Sequence, residues 1–457
     1  MARLLVGVTL ALVATGCAHG VRATDAPSRA LAAAIDALAT DVVTKTPAAG
    51  VSVAVMRHGR LVVAKGYGFA DVAARTAVTP ATIFRIGSIT KQLTAAAIVQ
   101  LAQAQRLTLD DDIHRWLPDY PTHAQTITLR QLLTHTSGIP DFEHHAWFEA
   151  HMAERRPRGE LVASFGAEPL EFTPGAKWSY SSSGYYLLGL VVERASGRAW
   201  ADYVRDQVLA PAGVRGIGEC PDTQDYPHAA RGYDIRDGKR VDARPIVMAH
   251  AFAAGALCAT APALVDWARA LAGGRVVGAA GWREMTTPVT LADGSHFGYG
   301  LGLFIGDLGG HRVIFHGGGV NGFVSALASY PDDDLVIAVL VNTEGDFADA
   351  LSESIARVAL NVPRVAPART PLAAGEGAAL AGRYEVSAAN VTLVVEVRDD
   401  QLVAHKEGDP PSPLARQADG SFVADNGGRF VFHRDGARVT GFTYSIHGAA
   451  FEAKRLP

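Results

Sequence analysis

The chain has 457 residues, 48% of them hydrophobic and 19% charged, enough apolar material for a large core and about three domain-sized units. A formal charge of −4, with no basic cluster or aromatic-basic platform, excludes the electrostatic footprint of a nucleic-acid binder.

The N-terminus reads MARLLVGVTLALVATGCAHG. One arginine, an apolar run and small residues before Cys17 give residues 1–17 the shape of an export signal, too short to span a membrane comfortably. ATGC resembles a bacterial lipobox, which implies lipidation of Cys17, although Ala14 stands where leucine is usual. The expectation is an exported protein, periplasmic and lipid-anchored to a bacterial membrane, with plain secretion as the alternative. If Cys17 is lipidated, Cys220 and Cys258 are the only intrachain pair left. Both a disulfide there and a buried free thiol at Cys258 fit that setting.

Residues 18–28 read as a flexible segment, and LAAAIDALATDVV after them as a helix. GVSVAVMR and LVVAKGYG alternate around His58-Gly59-Arg60 and form a hairpin. FRIGSITKQLTAA, from Phe84 to Ala96, enters a strong helical pattern with Leu93, Ala97, Leu101 and Ala104 on one stripe. Ser88 falls at the start of that helix and Lys91 three residues on, on the same face. Taken alone, such a serine is an N-cap and such a lysine a solvated charge.

From about residue 105 to 290 the pattern is mixed and mainly helical. Strand patterns return in YGLGLFI, RVIFH, FVSALASY and LVIAVLVN, with a tight turn at Asp332-Asp333-Asp334 and a helix from Phe347 to Leu360. One antiparallel sheet interrupted by a helical insertion accounts for residues 29–361. Residues 362–376 form a Pro- and Ala-rich linker. Residues 377–457 carry short strands and read as a small all-β, lipocalin-like barrel. The fold class is α/β (α+β).

Three stretches carry chemistry. A serine is a poor nucleophile without a base, and Lys91 together with a helix N-terminus supplies part of what Ser88 needs. FTPGAKWSYSSSGYYLLG, from Phe172, reads by itself as a Pro-Gly turn entering an apolar helix. VIFHGGGVNGF, from Val313, places glycines directly after a strand, where a substrate's backbone can approach and an N–H can face an oxyanion.

In this order SITK, YSS and HGG resemble the Ser-x-x-Lys, Tyr-x-Asn and His/Lys-x-Gly motifs of the serine β-lactamase and penicillin-binding-protein superfamily. The class C-like branch, with its D-Ala-D-Ala carboxypeptidase, D-aminopeptidase and esterase relatives, is the better fit. LRQLLTHTSGI and AAGALCATAPAL are similar to further segments of that branch, and the resemblance covers about residues 30 to 360.

The resemblance implies that Ser88 is the nucleophile, Lys91 its proton-relay partner and Tyr180 the general base or acid, active as phenolate or through Lys91. It implies an oxyanion hole from the N–H groups of Ser88 and Gly319, and His316 contacting a substrate carboxylate or the Tyr180 hydroxyl. Ser182, Gly317 and Gly318 would line the substrate. Ser182 replaces the usual asparagine and His316 the usual lysine, and a neutral imidazole grips an anionic carboxylate less strongly.

Two other patterns compete. Gly317, Gly319 and Gly322 satisfy G-x-G-x-x-G, but the residues after them alternate like a strand rather than opening a helix. His144, His145 and His151 lack zinc-site spacing and read as loop residues, and His135 as structural. The expectation is therefore an exported serine hydrolase acting by an acyl-enzyme on D-amino-acid peptides or small esters. No metal, cofactor or nucleic-acid partner is implied. β-Lactam hydrolysis is the enzymatic alternative, and a catalytically weakened ligand- or cell-wall-binding protein the alternative of another class.

Overall fold

The computed structural model describes residues 25–363, 371–386, 391–398, 400–406, 411–424, 428–446 and 449–457. The expected export signal, Cys17 and residues 364–370 of the expected linker lie outside them. Of the segment expected to be flexible, residues 18–24 lie outside the described residues and residues 26–28 are helical: helix α1 runs Ala26–Lys45, because the Asp25 side chain accepts from Ser28 N–H and Pro27 suits the first turn.

Seven strands build the central sheet: β1 Gly50–Arg57, β2 Arg60–Asp71, β3 Thr76–Ala77, β4 Phe304–Leu308, β5 His311–Val320, β6 Phe323–Tyr330 and β7 Leu335–Val341. Their order is β4-β5-β6-β7-β1-β2-β3, antiparallel throughout, so the first hairpin and the last four strands meet in one sheet across the insertion. The β1–β2 hairpin turns on His58 and Gly59, both with positive φ, as a two-residue turn between right-twisted strands requires.

The two-residue period of a strand sorts the core into layers. Val51, Val53 and Val55 of β1 and Leu335, Ile337 and Val339 of β7 pack under α1 and the helix Phe347–Leu360, named α5 below. Ala54 and Met56 with Val336, Ala338 and Leu340 face the other way, into the large core of the helical insertion. Both faces of the sheet are thus covered.

In that second core lie α2 (Thr90–Gln103), α3 (Ser182–Ser196) and α4 (Ala261–Ala272). Helix α2 differs from the one-stripe expectation. Every residue from Thr90 to Val99 is buried, whereas Ala104, assigned to the stripe, is exposed just past the helix end. A helix enclosed on all sides needs partners for its polar residues: Thr94 Oγ1 donates to Ala253 O at 2.7 Å, and Gln92 accepts from Trp267 Nε1 at 2.9 Å.

Cys220 and Cys258 form a disulfide, joining the segment after strand Ile217–Glu219 to strand Leu257–Ala259. The free-thiol alternative is thereby excluded. At the C-terminal end eight strands, from Gly382–Val386 to Ala449–Arg455, close into a barrel around Tyr384, Phe422, Phe430 and Phe442. One of them, Ser412–Arg416, escaped the strand reading because Pro413 interrupts its pattern. The barrel touches the catalytic side of the molecule through Phe451, whose ring meets Trp178 edge-on at 6.1 Å and Phe297 at 5.6 Å.

Candidate active site

Ser88 does not cap a helix. It sits in the 3-10 turn Gly87–Ile89 that leads into α2, and neither helix start has a side-chain cap. Gly87 has φ +48°, and a Cβ there would stand 2.5 Å from the Gly319 carbonyl oxygen, so only glycine admits the approach of the serine turn to β5. Ser325 Oγ locks that approach by donating to Ile86 O at 2.9 Å. Ser88 remains partly accessible while Ile86, Gly87 and Ile89 are buried.

The β5 register explains why substrate has room. Strand β4 pairs with β5 only as far as Phe304 opposite Phe315, so from His316 to Val320 the strand bonds β6 on one side and leaves its other edge free. Gly318 is the close contact: a Cβ there would lie 2.1 Å from Ile86 O and 3.0 Å from Ser88 N. A Cβ at Gly319 would meet nothing within 4 Å, which marks the open position. A Cβ at Gly317 would point at Asp349 of α5 on the far face.

Lys91 is fully buried and its Nζ faces three oxygens: Ser88 Oγ at 2.9 Å, Ala254 O at 3.0 Å and Ser182 Oγ at 3.2 Å. The Ala254 carbonyl belongs to a helix, Met248–Gly255, interrupted at Phe252 with φ 37° and ψ −131°. A non-glycine residue held there is strained, and its ring packs on Tyr186 and Trp200. Burial lowers the Lys91 pKa below the ordinary 10.5, opposed by the charges of Glu143 and Asp141.

Tyr180 lies beside both groups. Lys91 Nζ is 4.8 Å from the centre of its ring, and the Ser88 hydroxyl acts on the phenol as a hydrogen-bond partner. Burial pushes the phenol well above its ordinary value, so it stays protonated at neutral pH. Serine, lysine and tyrosine therefore converge, and the Ser182 hydroxyl reaches Lys91 despite being shorter than the expected amide.

His316 is placed differently from its expected contacts. Its Nδ1 is 2.5 Å from Gly317 O and its Nε2 3.1 Å from Tyr299 Oη, so both ring nitrogens are used within the protein and neither hydrogen-bonds Tyr180. Burial pushes its pKa down to about 3, which leaves it neutral. The rings of His144, His145 and His151 contact Asp141, Glu168 and Trp147 respectively.

Three further residues were not legible in the motifs. Asp141, buried, accepts the N–H groups of Glu143 and Ser182 and so fixes the start of α3, and Glu143 is exposed near the same charges. Tyr299 was counted within a strand pattern but lies just before β4, buried. A tyrosine between Gly298 and Gly300 in an apolar run is the one signal that pointed to it.

A model of the Beta-lactamase family matches residues 35–360, most of the chain and all of this site. The chain belongs to the Beta-lactamase family. A D-aminopeptidase of Brucella canis is 28% identical over 326 residues, 70% of this chain and 61% of that enzyme, so the chain spans less than two thirds of that relative's length. The D-amino acid amidase from Ochrobactrum anthropi SV3, solved with D-phenylalanine, is 26% identical and covers 72% of this chain and 99% of its own, with a TM-score of 0.63. An octameric penicillin-binding-protein homologue from Pyrococcus abyssi shares the fold over 92% of this chain and 99% of its own at 23% identity and a TM-score of 0.67.

Proposed function

We propose that the chain hydrolyses amides or esters of D-amino acids through an acyl-enzyme on Ser88. The observation that carries this is Lys91 Nζ at 2.9 Å from Ser88 Oγ, in a site whose burial favours the neutral amine. A neutral amine has two N–H bonds and a lone pair. The two N–H bonds match Ser182 Oγ and Ala254 O, and the lone pair faces the Ser88 proton.

Ser88 Oγ then attacks the carbonyl while its proton passes to Lys91. The oxyanion meets the N–H groups of Ser88 and Gly319 at the free edge of β5. The C–N or C–O bond breaks as the leaving group takes a proton from the Tyr180 phenol, which recovers one from Lys91. Water attacks the ester by the same relay in reverse.

Substrate class rests on two supports. The D-aminopeptidase and the D-amino acid amidase act on D-amino acid substrates by their names, and the exposed carboxylate of Glu143, whose charge reaches Lys91 and Tyr180, suits a substrate ammonium; burial pushes the Asp141 carboxyl up to about 8, so it adds little charge at neutral pH. A neutral His316 offers no charge of its own to a substrate carboxylate, which disfavours β-lactams. We propose export as well, and the Cys220–Cys258 bond supports an oxidising compartment; the mass of the native N-terminus tests it.

Kinetics on D- and L-phenylalanine amide, a p-nitrophenyl ester and a chromogenic cephalosporin test the activity, with Ser88→Ala as control. The D-amide and the ester should be turned over and the cephalosporin at least about a hundredfold more slowly, with Ser88→Ala inactive on all. Equal turnover of the L-amide would remove the stereochemical part. Covalent labelling of Ser88 without any turnover would mean a binding protein.

A further inference from the structure

His135 sits at the centre of the aromatic cluster and touches both flanks of Tyr180. Its carbonyl accepts Ser179 N–H at 2.9 Å, its Nδ1 accepts Ser181 N–H at 3.1 Å, and its ring packs against the Tyr180 ring at 4.3 Å, tilted by 35°. Its backbone has φ 57°, the turn that lets one residue reach both sides.

The proton positions follow from the ends of the chain inward. A backbone N–H can only donate, so His135 Nδ1 carries a lone pair and its proton is on Nε2. That proton goes to Tyr299 Oη at 3.1 Å. At the other end a carbonyl oxygen can only accept, so His316 Nδ1, 2.5 Å from Gly317 O, carries a proton, and in the neutral ring Nε2 then carries the lone pair. The Tyr299 hydroxyl, 3.1 Å away, donates to that lone pair. The His135 end makes Tyr299 an acceptor, and its own hydrogen is then free for a neutral His316 Nε2. Tyr185, the neighbouring phenol, has its own proton on Leu133 O at 2.7 Å and does not compete as a donor.

We propose that His135 and Tyr299 are positioning residues that brace the Tyr180 phenol and lock His316 in its neutral Nδ1–H tautomer, so that the strand edge beside Ser88 presents no cation to the substrate. The catalytic consequence rests on the hydrolase reading above; the tautomer does not.

A proton added to His316 Nε2 would face the Tyr299 O–H, and Tyr299 already receives the His135 proton. Two donors would then point at one oxygen, and the Tyr299 hydrogen would have to leave His316 for the neighbouring Tyr185 phenol oxygen. The ionisable groups around His316 agree with the neutral form: Lys91 from α2, Tyr180 from the loop before α3, and Tyr299 and His135 at its Nε2 end. Asp349 and Glu353 of α5 line a crevice with it under the sheet, where its Nδ1–H is already given to Gly317 O.

The test is nitrogen-15 NMR of the histidine rings in the intact protein, with His316 and His135 assigned by His316→Gln and His135→Gln, alongside the pH profile of Tyr299→Phe. Wild type should show His316 as Nδ1–H and His135 as Nε2–H at neutral pH, with no protonation of either down to pH about 5. Tyr299→Phe removes the donor to His316 Nε2. It should lower kcat roughly tenfold at unchanged KM, the loss of one hydrogen bond. His316 should then take up a proton at higher pH than in wild type. A cationic or Nε2–H His316 in wild type overturns the proposal, whether or not the variant folds. So does a folded Tyr299→Phe in which His316 titration and kcat are both unchanged. Absence of turnover in wild type with the expected tautomers would instead overturn the hydrolase reading and leave the lock in place.

Discussion

Lys91 does its work through burial rather than through a partner charge. Among the described residues its Nζ contacts three neutral oxygens and no carboxylate, and removal from water favours the form without charge. The sign of the pH dependence follows. In the proposed mechanism the neutral amine accepts the serine proton, so kcat/KM should rise with pH and level off before the ordinary lysine value of 10.5. Lys91→Met should remove this limb together with at least about a thousandfold in rate, as the loss of a general base does. A limb that persists in Lys91→Met belongs to another group.

The elements supply closeness, which a sequence pattern reports only in part. Glycines before the serine and along β5 were visible, but which of them makes the approach was not. Gly318, with Ile86 O where its Cβ would be, is the position that tolerates least. Gly318→Ala should push β5 from the serine turn, cost about 1–3 kcal/mol of stability and lower kcat at least about a hundredfold. Chemical denaturation and kinetics read the two effects, and near-normal kcat would mean that the turn does not depend on that contact. The strands and the helix from Phe347 to Leu360 were legible because alternation and helical period persist over their whole length. The kink at Phe252 was not, since it arises from packing of a ring on Tyr186 and Trp200, far away in sequence. The same holds for the roles of His135 and Tyr299. Each reads locally as a core residue, and only tertiary contact joins them to His316.

For the molecule as a whole, the buried histidines tie stability to pH. His316 protonates only at about 3 when folded and His135 is held well below 6.5, whereas the unfolded imidazoles take up protons near 6.5. Between those values the unfolded chain binds more protons. Stability is therefore fully present above pH 6.5 and falls as the pH is lowered, by up to about 1.4 kcal/mol per pH unit for each histidine. Denaturation midpoints at pH 7, 6 and 5 should fall less steeply in His316→Gln than in wild type; equal slopes would show that His316 titrates alike in both states.

The three segments that form the site lie in different parts of the chain: the turn into α2, the loop before α3 and the free edge of β5. What unites them is the claim that Ser88 is the acylated residue. Peptide mapping by mass spectrometry after brief incubation with an active-site serine probe addresses it directly. The predicted result is a single adduct on Ser88, absent in Ser88→Ala and strongly slowed in Lys91→Met. An adduct on another residue, or equal labelling of Ser88→Ala, would contradict it.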